Sequence, residues 1–261
     1  MRMSPLHHRA TLAAALTVVA MTAAACSGST KGTAAAAPVA SKVINALPAA
    51  HGDIANLTWD LTQGEPTTLD PVQAADFSAT PVDAQMCDTL LRENPDMSLS
   101  PNLVTAAQSS PTTITLPLRG GARFWDGKPV TVDDVVYSLQ RNLNQNVPAY
   151  FVFQYVKSIA ATGGGQVTIT LNQPDELFMK ELGGVQMAVV EKAFAQHAGD
   201  AFGTASGGVM CSGPYEFSSW TPGSQIVLKR NDAYWNPAYR GHAATITLKF
   251  VTDTAAIAQG L

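Results

Sequence analysis

Apolar and polar residues alternate along several short stretches of the chain and recur at helical spacing along others. Asn56–Thr62 (NLTWDLT), Thr112–Arg119 (TTITLPLR), Gln166–Leu171 (QVTITL) and Thr245–Val251 (TITLKFV) place apolar residues at every second position, which predicts half-buried strands. Gly213–Trp220 and Gln225–Arg230 flank Thr221-Pro222-Gly223 and predict a hairpin. Pro117 lacks a backbone donor, so its strand is expected to lie at an edge or carry a bulge there. Val82, Met86, Leu90 and Leu91 predict a helix over Val82–Arg92. Thr131-Val132-Asp133-Asp134 opens another: Thr131 caps it, two acids favour its first turn, and Val135, Val136, Leu139 and Leu143 form its buried stripe. Asp175–Leu182, Glu191–His197 and Thr254–Gln259 read as shorter helices, and the last two lie either side of the predicted hairpin. Glu65–Pro71, Asn94-Pro95-Asp96, Ser100-Pro101-Asn102, Asp126–Pro129 and Gly163-Gly164-Gly165 read as turns. The body is therefore mixed α and β, without an internal repeat.

The N-terminal pattern differs. Met1–Ala10 carries Arg2 and Arg9, and Thr11–Ala25 is uncharged and mostly apolar. A basic start followed by about fifteen apolar residues is the pattern of a secretory signal peptide and is short for a spanning helix. The run ends in Ala23-Ala24-Ala25-Cys26, and small residues before a cysteine resemble a bacterial lipobox, although Ala23 stands where Leu is usual. The expectation is a lipoprotein leader over 1–25 with Cys26 lipidated, the alternative being an ordinary signal peptide and an idle thiol. More than one acyl chain would give stable membrane residence. Residues 26–56 begin as a stretch rich in Ala, Ser, Gly, Thr and Pro with no periodic apolar face, expected to be a flexible tether.

Composition narrows the function. Charged residues make up only 14% of the 261-residue chain, against roughly 25% in ordinary soluble domains. The net charge is −4, and losing Arg2 and Arg9 with the leader would leave −6. A nucleic-acid binder needs a basic face, which this balance does not supply. With Cys26 lipidated, Cys87 and Cys211 remain as an even pair in an oxidising compartment: a disulfide, or two buried thiols. His51, His197 and His242 lie far apart without ligand spacing, so no metal and no cofactor is assigned. No nucleophile elbow or phosphate-loop sequence occurs, and Asp133-Asp134 is explained by a helix start, so no catalytic residue is assigned. Aromatic residues cluster at Phe124-Trp125, Tyr150–Tyr155 and Tyr234-Trp235; most suit core packing, but such walls also line ligand clefts.

Four stretches, in order, resemble the cluster-5 extracellular solute-binding proteins, the peptide and nickel type that feed ABC importers. They are Glu65–Pro71 (EPTTLDP) with the following Asp88-Thr89-Leu90-Leu91; Ser100–Val104 (SPNLV); Leu118–Arg141 (LRGGARFWDGKPVTVDDVVYSLQR); and Cys211–Trp235 (CSGPYEFSSWTPGSQIVLKRNDAYW). The resemblance implies an α/β periplasmic-binding-protein-like fold of class II type: a mixed-sheet first lobe from 57–87 and 191–261, an inserted α+β subdomain over 88–190, and a second lobe that is missing. It implies a monomer that binds a peptide or another small solute, closes around it and presents it to an ABC permease, without transforming it. Carried over residue by residue, it places Ala75, Asp76 and Phe77 on a ligand-touching loop, Tyr150 facing the ligand, and Ser212 and Gly213 near the cleft floor. The family continues beyond the point where this chain reaches Gly260-Leu261. The expectations that follow are a half-built cleft, apolar surface exposed beside it, and weak ligand binding by this chain alone. A ligand sensor or a non-functional remnant with the same fold is the alternative.

Overall fold

The computed structural model describes residues 50–259; the leader, Cys26 and 27–49 lie outside the described residues. Ten strands and six α-helices follow in order: β1 Ile54–Asp60, α1 Ala79–Met86, β2 Leu91–Glu93, β3 Leu99–Pro101, β4 Gln108–Ser110, β5 Thr113–Pro117, α2 Val132–Arg141, α3 Tyr150–Phe153, β6 Val156–Thr162, β7 Gln166–Leu171, α4 Glu176–Glu181, α5 Lys192–Ala198, β8 Tyr215–Thr221, β9 Gln225–Arg230, β10 Ala243–Lys249 and α6 Thr254–Gln259. Among the described residues no helix is long and apolar enough to cross a membrane.

The strands form two four-stranded sheets and a small β2-β3 ribbon. One sheet, β4-β5-β7-β6, is antiparallel throughout. Its inner strands alternate as the sequence requires: Ile114 and Leu116 on β5, and Val167, Ile169 and Leu171 on β7, are all buried. They meet Leu139 of α2 and Phe153 of α3 in a core whose buried residues all fall within Leu90–Val189, with Met210 and Trp235 packed against it from beyond. The expectation of an edge strand or a bulge at Pro117 is corrected: β5 is an inner strand in unbroken register, and Pro117 is tolerated because it is the last residue of the strand, opposite Gln166.

The other sheet runs β1-β10-β9-β8, with β1 parallel to β10 and the remaining pairs antiparallel. Its core joins Leu61, Leu69, Val82 and Met86 to Ile226, Leu228, Ile246 and Leu248. The β8–β9 hairpin closes as expected: Ser224 N donates to Thr221 O at 3.0 Å, and Gly223 takes φ +72°, the left-handed value a type II turn needs after proline.

Helix α2 begins as its sequence predicts. Thr131 Oγ1 accepts from Asp134 N at 3.2 Å while Asp134 Oδ2 accepts from Thr131 N at 2.9 Å, a reciprocal capping box. Val135 and Leu139 are fully buried, and Val136 and Leu143 pack against the same core.

The helix expected over Val82–Arg92 is corrected. It runs Ala79–Met86, and Cys87 is already extended at φ −118°, ψ 126°. The four spaced apolar residues serve two cores: Val82 and Met86 face one, Leu90 and Leu91 the other. A continuous helix cannot reach both, so the chain unwinds at Cys87 and Leu91 starts a strand. β1 likewise begins at Ile54, inside the stretch expected as tether, because Ile54 pairs with Ala243 and Asn56 with Thr245.

Candidate functional site

The crossing from one core to the other is built around Asp88. Its carboxylate is buried and accepts from Tyr234 Oη at 2.8 Å, Trp235 Nε1 at 2.8 Å, Ser212 Oγ at 3.0 Å and Asn102 Nδ2 at 3.2 Å. Burial pushes its pKa up, and these four donors offset only part of that. The Tyr234 phenol is also held above its ordinary value, by burial and by the neighbouring Asp88 charge. Arg92 reaches Tyr234 Oη at 3.4 Å and stacks over the Tyr239 ring at 3.9 Å. A cavity of about 380 Å³ opens here, with Asp88, Arg92, Asn102 and Gly184 among its walls.

Next to Asp88, Cys87 and Cys211 form a disulfide, with Cα atoms 4.9 Å apart. Gly213 N donates to Met86 O at 2.8 Å, and Gly213 O accepts from Trp125 Nε1 and Asn231 Nδ2. A Cβ on Gly213 would lie 2.3 Å from Met86 O, so only glycine fits this approach. Ser212 and Gly213 are thus both buried, and their polar groups are spent inside the chain.

The loop before α1 is held from both sides. Asp76 Oδ1 accepts from Ser78 N at 3.0 Å and Ala79 N at 2.6 Å, supplying the cap that the Ser78 side chain does not. Asp76 Oδ2 accepts from Thr67 N at 3.0 Å and Thr67 Oγ1 at 2.9 Å. Partial burial opposes ionisation of Asp76, but these donors outweigh it and the pKa is lowered. Glu65 anchors the loop's other end, accepting from Trp220 Nε1 at 2.7 Å and Gly223 N at 2.9 Å. Asp70 is paired with Arg141 of α2.

On this frame Ala75 is exposed and Phe77 stands 85% exposed. Phe77, Trp59, Leu61 and Pro81 line a cavity of about 410 Å³. Tyr150 is half-buried at the start of α3, its hydroxyl 3.5 Å from Gln145 Nε2, while Val152 and Phe153 of the same turn anchor it in the core below. The structure therefore brings Asp76 and Phe77 together with Ala75 on one loop, and Ser212 and Gly213 together beside the disulfide. Tyr150 belongs to the other core. The Asp88 cluster escaped the sequence reading. Its donors lie 14, 124, 146 and 147 residues away; each of the five residues falls in a stretch that resembles the solute-binding family, but nothing local shows that they meet. Among the described residues no group of three or more His, Cys, Asp or Glu could hold a metal ion.

A mixed sheet and an antiparallel one, linked by helices, give this chain a mixed α/β fold that solved periplasmic binding proteins share. The structure of AgaA from A. tumefaciens R10 in complex with agropinic acid superposes with a TM-score of 0.72 at 28% identity, covering 79% of this chain and 42% of AgaA. A family model, bacterial extracellular solute-binding proteins, family 5 (middle), matches residues 98–261, and the chain belongs to that family. The probable peptide-binding protein YejA of Agrobacterium fabrum is 30% identical over 187 residues, 67% of this chain and 30% of YejA. The oligopeptide-binding protein AppA of Bacillus subtilis is 25% identical over 261 residues, 94% of this chain and 44% of AppA. The chain thus spans less than half the length of these relatives. Family 5 members are extracytoplasmic binding proteins, not enzymes.

Proposed function

We propose that this chain provides the substrate-binding component of an ABC importer that captures oligopeptides or similar small solutes outside the membrane and delivers them to a permease. The observation that carries this reading is the family match over 98–261 joined to a rigidly tethered loop that thrusts Phe77 outward. In this reading 57–87 with 191–261 form the first lobe and 88–190 is set into it. Ala75, Phe77 and Tyr150 touch the solute. Asp76, Ser212 and Gly213 support them, since their polar groups are engaged within the chain. Cys26 carries the lipid that holds the protein, as a monomer, at the cell membrane.

Photo-crosslinking tests the site even where affinity is low. A photoreactive residue at Phe77 or Tyr150 is expected to capture tri- to pentapeptides from a mixture, and one at Leu177, exposed on α4, is not. Equal labelling from all three positions would remove the assignment. Cys26→Ser is expected to shift the protein from the membrane to the soluble fraction; unchanged retention would remove the anchor.

A further inference from the structure

Asp83 sits in the middle of α1, directly after the loop that carries Ala75, Asp76 and Phe77. It is completely buried, and neither carboxylate oxygen has a hydrogen-bond partner among the described residues. An ionised carboxylate in that position would be costly. The acids nearest in effect are Asp70, whose charge Arg141 balances, and Asp76, whose charge the loop donors satisfy. Neither can donate to Asp83 while ionised. Helix α1 packs against β8 and the short turn Val185–Met187. That turn brings Val185, Gln186 and Met187, none of them charged, and β8 brings Tyr215 and Glu216. The Tyr215 hydroxyl accepts from Ala243 N, and neither Tyr215 nor Glu216 bonds to Asp83. The group is therefore fully buried, with two like charges acting on it and no cation bonded to it.

We propose that Asp83 is a proton-held latch beneath the candidate ligand loop: neutral, it keeps α1 docked on the sheet, and ionised, it forces α1 outward and loosens the segment Ala75–Phe77. The link to ligand capture rests on the function proposed above; the latch itself does not. Burial and the charges of Asp70 and Asp76 hold the Asp83 pKa well above the ordinary 3.8. For an acid raised in the folded state, stability is full below the unfolded value and is lost as pH climbs toward the folded value. Across that window the opening constant rises by up to about tenfold per pH unit.

Hydrogen exchange of the α1 amides, corrected for intrinsic rates, reads the latch in the full chain between pH 5 and 8. Opening of residues 79–86 is expected to steepen with pH, and Asp83→Asn, a neutral isostere, is expected to abolish the slope and protect α1 at pH 8. A wild-type α1 without pH dependence overturns the latch, as does a slope that survives in Asp83→Asn. If that variant does not fold, the carboxyl-carbon NMR titration of wild-type Asp83 decides. A midpoint near the ordinary value overturns the proposal, and one well above it sustains it. Peptide crosslinking from position 77 at both pH values separates the two readings. PH-dependent α1 opening with pH-independent capture keeps the latch and removes the loop from the ligand site.

Discussion

β6 and β1 are both edge strands of four-stranded sheets, and they treat their open edges in opposite ways. β6 (VKSIAAT) buries only Ile159, presents Lys157 and Ser158 to solvent, and breaks register between Val156 and Ser158. A charge and a bulge are the usual protections of a free edge. β1 (IANLTWD) has no bulge, and its one charge is Asp60 at its very end: it pairs with β10 without a register shift, and all of Ile54–Trp59 is exposed, including Ile54, Leu57 and Trp59. Edge protection is thus written in local sequence: among the described residues β6 carries a charge and a bulge along its edge, and β1 carries only a terminal charge. That open edge adjoins Phe77, so the unprotected strand and the candidate ligand loop share one face of the molecule.

The disulfide gives the largest test of how far the two bodies depend on each other. Cys87 and Cys211 are 124 residues apart and enclose the whole antiparallel body. The loop-closure model assigns such a bridge about 5 kcal/mol. Replacing both cysteines with serine is expected to lower the denaturation midpoint strongly and to split unfolding into two transitions, followed by tryptophan fluorescence and circular dichroism. A single unshifted transition would show the bodies to be one cooperative unit without the bridge.

Next comes the interior of the antiparallel sheet. Ile169 is fully buried at the centre of β7, between Ile114 and Ile159. Ile169→Ala is expected to cost about 2–5 kcal/mol by urea denaturation, and a cost below 1 would mean a looser core than the one described. Smaller still is the α2 cap: Thr131→Ala removes one arm of the capping box and is expected to cost about 1 kcal/mol, with Thr131→Ser restoring most of it.

What the sequence made legible follows the same division. The capping box at Thr131, the QVTITL strand and the Thr221–Ser224 turn are local, and the residues that build them are neighbours in the chain. β2, β3 and β4, at three residues each, are too short to show a period, and β6 hides because one buried residue makes no alternation. The end of α1 was misplaced because two cores share its apolar spacing. Of the candidate site, the loop position of Phe77 was readable by resemblance, but the burial of Ser212 and Gly213 was not. It depends on Asp88 and Met86, more than a hundred residues away.

The smallest effect on stability bears most directly on the edge. Trp59 is 52% exposed on β1, so Trp59→Lys removes little buried area and is expected to change folding stability by less than about 0.5 kcal/mol. Its effect should instead be on association. Unpaired donors and acceptors beside an apolar ring are a template for another strand, and a lysine there supplies the charge that Lys157 supplies on β6. Sedimentation velocity over a hundredfold concentration range is expected to show a wild-type monomer at the low end and edge-driven association only at the top of the range, which Trp59→Lys suppresses. The same substitution at exposed Leu177, away from either edge, should leave association as it is. If Leu177→Lys is equally effective, net charge and not edge chemistry governs solubility, and the contrast between β1 and β6 loses its physical basis. If only Trp59→Lys acts, the open edge of β1 is a real surface property of this sheet, separable from its stability.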